Sequence, residues 1–290
     1  MGRKTEKAVQ MNGHTPHVPV EGFHIPGGKL KEQAWNDLMA KIQTLEKNVP
    51  KRIPFYQTSR FIYSVAASVV ILIGSYSAFH YTSQITVSCP CGEQMTVTLP
   101  DKSEVILNSE TSISYNTLTW NISRKVRLNG EAFFQVQKGK RFDVLTHDAT
   151  VSVLGTTFNV FSRNNEVRVN CFTGKVSVTN RTGNSRKVVL TPGTETLLSY
   201  GGEPTEPVSV DTSKTARWMQ GEFYFNNEKI GRVFDEMERQ YKINIEYKGD
   251  TNRFYTGYFN NRNLKQALEV VCMPMNMHFS RTDHKIEVTQ

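Results

Sequence analysis

Phe61–Phe79 reads FIYSVAASVVILIGSYSAF, nineteen residues without a charge. As an α-helix it would span roughly 28 Å at about 1.5 Å per residue, close to the ~30 Å hydrocarbon core of a bilayer. Phe61, Tyr63, Tyr76, Phe79 and Tyr81 place rings near both ends, where aromatic side chains prefer the membrane–water interface. The segment lies too deep in the chain for a secretory signal peptide and has no small-x-small cleavage pattern within reach. A buried core helix is the competing reading, but the flanks match a span.

Those flanks carry the topology. Lys51, Arg52 and Arg60 precede the segment, whereas the twenty-two residues after it contain Glu93 and Asp101 but neither Lys nor Arg. Lys and Arg resist translocation, so the N-terminal side is expected in the cytoplasm and residues 82–290 outside. The formal net charge is +8, and residues 1–60, with ten Lys/Arg against five Asp/Glu, hold +5 of it. That concentration beside the apolar segment points to an anionic membrane surface. No basic run, zinc-finger spacing or RNP-like aromatic motif suggests direct nucleic-acid binding.

Before the span, residues 1–28 are rich in Gly, Pro and polar side chains and read as an irregular tail. His14, His17 and His24 lie there without a Cys or carboxylate to complete a metal site. From 29 to 47 the sequence KLKEQAWNDLMAKIQTLEK is helical in period. Trp35, Leu38, Ile42 and Leu45, spaced 3, 4 and 3, form one stripe. A lone helix cannot bury that stripe on itself. It must dock on a partner, lie on the membrane or pair with a copy.

After the span the period becomes two. Met95, Val97 and Leu99 alternate with polar residues, as do Val151 and Val153, Val167, Val169 and Cys171, then Val176 and Val178. Turn signals fall at Pro100-Asp101, Asn129-Gly130, Arg163-Asn164-Asn165, Thr173-Gly174 and Thr182-Gly183-Asn184. Short alternating strands with regular turns indicate an antiparallel all-β domain. Glu203–Val210, with two prolines, reads as a linker. Beyond it, a strand at Gly221–Phe225 leads to a helix capped by Asn227 and running through Tyr241. A second helix follows Asn263, and strands fall around Ile243–Tyr247, Phe254–Phe259, Met277–Phe279 and Ile286–Val288. The pattern predicts a small α+β domain of two successive βαβ units.

Several stretches now resemble one family. MTVTLPDKSEVILNSETSISY (95–115) resembles the opening of the FecR domain, VxLPDGSxVxLNxxSxLxY. VRLNGEAFFQVQK, FDVLTHDATVSVLGTTFNVFS, VNCFTGKVSV and VVLTPGTE follow in that family's order. The segments RWMQGEFYFNNEKIGRVFDEMERQYKINIEY and FYTGYFNNRNLKQALEVV are similar to the C-terminal domain of its Bacteroidetes branch. That domain is in turn similar to the short signalling domain of secretins and TonB-dependent transporters. Lys102 stands where the family usually has Gly, which implies a less tight turn. The cytoplasmic part is short, and the longer N-terminal helical domain of many relatives has no counterpart.

The resemblance implies a multi-domain, single-pass protein of the inner membrane, N-terminus cytoplasmic and C-terminus periplasmic. Its expected parts are a cytoplasmic tail (1–60) with an amphipathic helix (29–47), a transmembrane helix (61–81) and a periplasmic FecR-like β domain (84–199). A linker (200–213) and a C-terminal domain (214–290) complete it. The implied role is an anti-sigma factor relaying a signal from the signalling domain of a TonB-dependent outer-membrane transporter to an extracytoplasmic-function (ECF) sigma factor. Trp35, Leu38, Ile42 and Leu45 would hold the sigma factor, as buried aromatic and aliphatic anchors do at interfaces. The alternative is a membrane-anchored periplasmic binding or scaffolding protein without sigma regulation.

Hydrolase, kinase and dinucleotide motifs are missing from the sequence, and neither a cofactor nor a metal is expected. Scattered carboxylates in the β domain read as solvated faces. Cys171 and Cys272 read as free buried thiols, while the Cys89-Pro90-Cys91 pair has no assigned role. LGTTF matches the family motif LGTxF, and some relatives are thought to break their own chain at the Gly-Thr bond. The resemblance therefore marks Gly155 and Thr156 as a self-cleavage pair, in which the Thr hydroxyl would attack the Gly carbonyl. A permissive glycine in a turn or bulge is the plainer reading of the same residues.

Overall fold

The computed structural model describes residues 30–47, 59–181, 186–282 and 285–290. His14, His17, His24, Lys51, Arg52 and the Thr182-Gly183-Asn184 turn lie outside the described residues. The chain divides into two units, residues 1–68 and 69–290, each taken by itself.

In the first unit, α1 (Lys31–Lys47) contains neither Gly nor Pro. It carries Glu32 in its first turn and Lys47 in its last, matching the helix dipole. None of its side chains is buried. The apolar helix α2 (Ser59–Thr82), which begins in the first unit and ends in the second, is 24 residues long, about 36 Å. Serines inside so apolar a helix need partners. Ser64 and Ser68 donate back to the carbonyls of Phe61 and Val65 at 2.8 Å, and Ser75 to that of Leu72 at 3.0 Å. The hydroxyls are thus satisfied by the helix itself, as a nonpolar surrounding demands. The window Arg60–Ser77 is long and apolar enough to cross a membrane, and none of it is buried against protein.

The second unit is mostly β. Its strands are β1 (Gln84–Cys89), β2 (Met95–Thr98), β3 (Glu104–Leu107), β4 (Thr111–Asn116), β5 (Arg124–Gln135), β6 (Phe142–Leu145) and β7 (Ala149–Val153). They continue with β8 (Thr157–Arg163), β9 (Glu166–Thr173), β10 (Val176–Asn180), β11 (Lys187–Leu190), β12 (Thr194–Ser199) and β13 (Val208–Ser209). All thirteen belong to one sheet whose spine is β5. The first half of β5 pairs with β4 and β6, the second half with β3 and β8. Between the two halves lies one core, including Phe134, Phe142, Phe158, Leu107 and Leu190.

Asn129-Gly130, expected as a turn, instead lies inside the twelve-residue β5. Gly130 has φ +114°, and a Cβ there would stand 2.8 Å from Thr111 Cα. The missing side chain lets the strand pass closely over β4 as it moves between the two halves. The expected all-antiparallel order also fails once, since β5 and β6 run parallel. Arg124 holds the crossover: its guanidinium pairs with Asp101 at 2.7 Å and receives support from the Gln137 and Lys140 carbonyls. Nor is the turn at Lys102 loose. Lys102 adopts φ +66°, its N–H donates to the Leu99 carbonyl at 2.9 Å, and Asp101 accepts from both N–H and hydroxyl of Ser103.

The expected linker 200–213 is largely tied down. Thr205 donates to the Leu197 carbonyl, β13 pairs with β12, and Val210 donates to the Gly193 carbonyl. Prolines 204 and 207 limit this edge to two paired residues rather than freeing it.

The remainder comprises α3 (Thr212–Thr215), β14 (Glu222–Lys229), α4 (Ile230–Tyr241), β15 (Asn244–Lys248), β16 (Phe254–Asn260), α5 (Leu264–Cys272), β17 (His278–Thr282) and β18 (Lys285–Thr289). Asn263 caps α5, its side chain accepting from Gln266 N–H. Asn227 does not cap α4. It sits at φ +52° in a bulge of β14, which continues to Lys229. The two expected βαβ units are not formed as such. β14 pairs antiparallel with β16, while β15 belongs to a second sheet, β15-β18-β17, where its partner β18 runs parallel. Each helix packs between these small sheets because its apolar face must be covered on both flanks. Ile230, Val233, Phe234, Met237, Leu268 and Val271 share one core with Ile286 and Val288.

Candidate functional site

On α1, Trp35, Leu38, Ile42 and Leu45 lie along one face and all remain exposed, Trp35 at 56% and Leu45 at 69%. Sequence reasoning missed Met39, also exposed. It lies four residues after Trp35 and widens the stripe. Arg60, the one described residue of the topology-setting set, is exposed in the first turn of α2.

Within the second unit, a buried polar junction joins the β sheet to the C-terminal elements. Ala132 and Phe134 of β5 enter the sheet core, so the alternate residues Glu131 and Phe133 face the other way. Phe133 enters the C-terminal core beside Trp218 and packs edge-on to Phe172 at 5.2 Å. Both Glu131 carboxylate oxygens accept hydrogen bonds at 2.9 Å, one from Asn108 Nδ2 and one from Asn159 Nδ2. The other end of each amide is also used. Asn108 Oδ1 accepts from Gln240 Nε2 of α4 at 2.9 Å, and Asn159 Oδ1 from Trp218 Nε1 at 3.3 Å. Gln240 Nε2 also donates to Glu236 Oε1 at 2.8 Å, and Glu236 is braced by Arg239 at 2.9 Å. Gln94 donates to the Trp218 carbonyl at 2.7 Å, and Gly92 N–H to that of Arg239.

A second set of contacts lies beside it. Glu166 of β9 accepts from Arg168 of the same strand and from Arg232 of α4, each at 2.6 Å. Carboxylates expected as solvated faces, Glu131, Asp143, Asp148 and Glu166 among them, are buried. Each found a donor within the fold, and alternation alone does not reveal such a partner. Burial raises the Glu131 carboxyl above the usual glutamate range, with the Glu236 charge adding to the effect. Burial also lowers the Arg163 guanidinium, which donates to the Ser109 carbonyl at 2.5 Å.

Gly155 follows β7, with φ +155°, and a Cβ on it would stand 2.7 Å from Lys138 Cα. Thr156 is buried, its hydroxyl donating to the Lys175 carbonyl at 3.2 Å. Gly174 closes over the pair, since a Cβ there would stand 2.9 Å from Thr156 Oγ1. All four cysteines are free. Cys171 and Cys272 are buried, and burial pushes both thiols up to about 11, which keeps them protonated and inert. Cys89 is buried too, its thiol directed to the Glu93 carbonyl at 3.2 Å, and Cys91 is half-buried. Among the described residues, no group of three His, Cys, Asp or Glu side chains is placed to hold a metal ion.

The family model for FecR protein matches residues 85–177, and that for the FecR C-terminal domain matches residues 222–288. Two crystal structures of a candidate anti-sigma factor from Parabacteroides distasonis are similar. One is 29% identical with a TM-score of 0.66, covering 71% of this chain and 99% of its own. The other is 29% identical with a TM-score of 0.64, covering 70% and 98%. No curated protein matches.

The buried carboxylate makes stability pH-dependent. The unfolded Glu131 titrates near ~4.3 and the folded one higher, so over the interval between them the folded state binds the extra proton. The stabilising contribution is full below ~4.3 and is lost as pH rises through the folded value. Urea midpoints of the detergent-solubilised protein, followed through tryptophan emission, should show this decline in the wild type and lack that component in Glu131→Gln. Glu131→Ala should cost about 3 kcal/mol, since two buried amides lose their acceptor.

Proposed function

We propose, because the chain belongs to the FecR family, that it is a sigma regulator whose single apolar helix links a cytoplasmic contact to an extracytoplasmic sensing module. The observation that carries this reading is the uncovered stripe Trp35, Leu38, Met39, Ile42 and Leu45 on α1, ahead of α2 in the chain. A stripe of that width loses water only against a second apolar surface. The partner is an ECF-type sigma factor on the cytoplasmic side. Support comes from the anti-sigma description of the Parabacteroides structures, which share 29% of their sequence with this chain.

Residues 84–290 then lie in the periplasm, with Lys51, Arg52 and Arg60 retaining the N-terminal side in the cytoplasm. The C-terminal part receives the signalling domain of a TonB-dependent transporter, and strand pairing at an exposed edge such as β15 or β17 suits two small α+β domains. The junction around Glu131 makes a load on that part a load on the sheet as well. What reaches α2 is therefore a displacement of the whole module or a cut in the chain. The cut would fall at Gly155-Thr156: the Thr156 oxygen adds to the Gly155 carbonyl, the peptide nitrogen leaves with the hydroxyl proton, and water hydrolyses the ester.

Two outcomes test these assignments. Residues 1–60 of the full-length protein should co-purify a sigma factor encoded in the same cell, and Trp35→Ala with Leu38→Ala should reduce recovery at least tenfold. Full recovery with the double variant would leave the alternative of an envelope scaffold whose tail only fixes topology. For the cut, membranes carrying the wild type should yield a fragment beginning at Thr156 that Thr156→Ala abolishes. A single intact band from both proteins would remove the self-cleavage assignment.

A further inference from the structure

The outer face of β7, β10 and β11 carries an open groove of about 710 Å³. Its floor is set by register. Ser152 of β7 stands opposite Ser177 of β10, which stands opposite Val189 of β11, and in the next outward row Thr179 stands opposite Lys187. The alternate residues Val151, Val153, Val176, Val178, Val188 and Leu190 point into the core, so the outward row is free to face solvent.

Its thirteen lining residues include four cations, Lys138, Arg141, Lys175 and Lys187, and no acid. Arg141 is already held, its Nε donating to Asp143 at 2.6 Å and its Nη2 to Ser152 Oγ at 2.9 Å. The three lysines are exposed, and none forms a salt bridge among the described residues. They bracket the floor. Lys138 packs over Gly155 and Lys175 precedes β10 at one end, while Lys187 lies opposite Thr179 at the other. Four residue steps separate Lys175 from Thr179, about 13 Å at ~3.3 Å per residue. A single phosphate is too small to reach both ends.

The groove also offers apolar contact. Leu154 is 65% exposed and Val189 is 47% exposed. β11 is the end of its sheet path and pairs with β10 alone among the described strands. Its outer backbone groups therefore face away from the sheet, and Lys187 at this edge does not itself supply a pairing partner.

We propose that this groove docks an acidic, extended segment of a partner protein, paired along the β11 edge with its carboxylates on Lys138, Lys175 and Lys187 and its apolar side chains on Leu154 and Val189. Charge complementarity selects an anion, the ~13 Å separation selects an extended one, and the open edge with two exposed aliphatic residues selects a peptide. The surface is separate from the α1 stripe and stands or falls independently of the sigma-factor role. Gly155 and Thr156 also line the groove, so the proposed cut site belongs to the same surface.

The test uses the full-length protein in zwitterionic detergent micelles and a fluorescein-labelled octapeptide, Glu-Thr-Leu-Thr-Glu-Thr-Leu-Thr, whose alternate positions put glutamate and leucine on one face of a strand, read by anisotropy at low salt. Saturable binding is expected. The triple variant Lys138→Ala, Lys175→Ala, Lys187→Ala should weaken it at least tenfold, and the remote pair Lys214→Ala, Lys265→Ala should leave it unchanged. Backbone N-methylation of the peptide should weaken it similarly, because it removes the donors needed for edge pairing. No binding at millimolar peptide, or equal binding by wild type and triple variant, overturns the site. Equal binding of the N-methylated peptide, or equal competition by a sulfated oligosaccharide, overturns its assignment to a peptide strand.

Discussion

Water cannot cover the apolar surface of α2 cheaply, and nothing among the described residues of this chain covers it. A 24-residue helix whose membrane-length window is wholly exposed is compatible in length and composition with a hydrocarbon surrounding, and its polar groups are satisfied as that medium requires. Its backbone groups are bonded internally, and the hydroxyls of Ser64, Ser68 and Ser75 return to carbonyls one turn back. Placing this helix in a bilayer sets the rest of the proposed account: a short basic segment on one side and a folded recognition module on the other. Neither part can then reach its partner by diffusing as a free protein.

The module beyond the helix is held together by interactions that favour transmission over flexibility. Glu131 is at once the outward residue of a central strand and the acceptor for two amides whose other ends reach Gln240 and Trp218. Separating the C-terminal part from the sheet would strand a buried carboxylate and several amides, a cost of several kcal/mol. Phe133, Ile106 and Phe172 add an apolar seam from the sheet to the C-terminal core. A polar junction so fully paired fixes one orientation more sharply than a purely apolar one, which tolerates sliding.

Much of this was legible in the residues. The period of 3.6 in Trp35–Leu45, the uncharged run at Phe61–Phe79 and the alternating valines each correspond to an element of the expected type. Asn263 also caps the helix it was expected to cap. The failures came where long-range pairing overrode a local signal. Asn129-Gly130 looks like a hairpin turn by dipeptide, yet Gly130 serves a close strand crossing over Thr111. Asn227 looks like a cap, yet β14 claims it as a bulge. The two helices of the C-terminal part alternate with strands, yet those strands enter different sheets. The polar junction was invisible because Asn108, Glu131, Asn159 and Gln240 are far apart in the chain, and each alone reads as surface.

Reporter fusions to Gln290 test the central claim most directly: alkaline phosphatase, active only outside the cytoplasm, compared with a fluorescent protein that matures only inside. The bilayer-spanning account predicts an active phosphatase, a dark fluorescent fusion and a chain recovered with membranes until detergent is added. A bright fluorescent fusion with inactive phosphatase, or a chain that stays in solution without detergent, would contradict it.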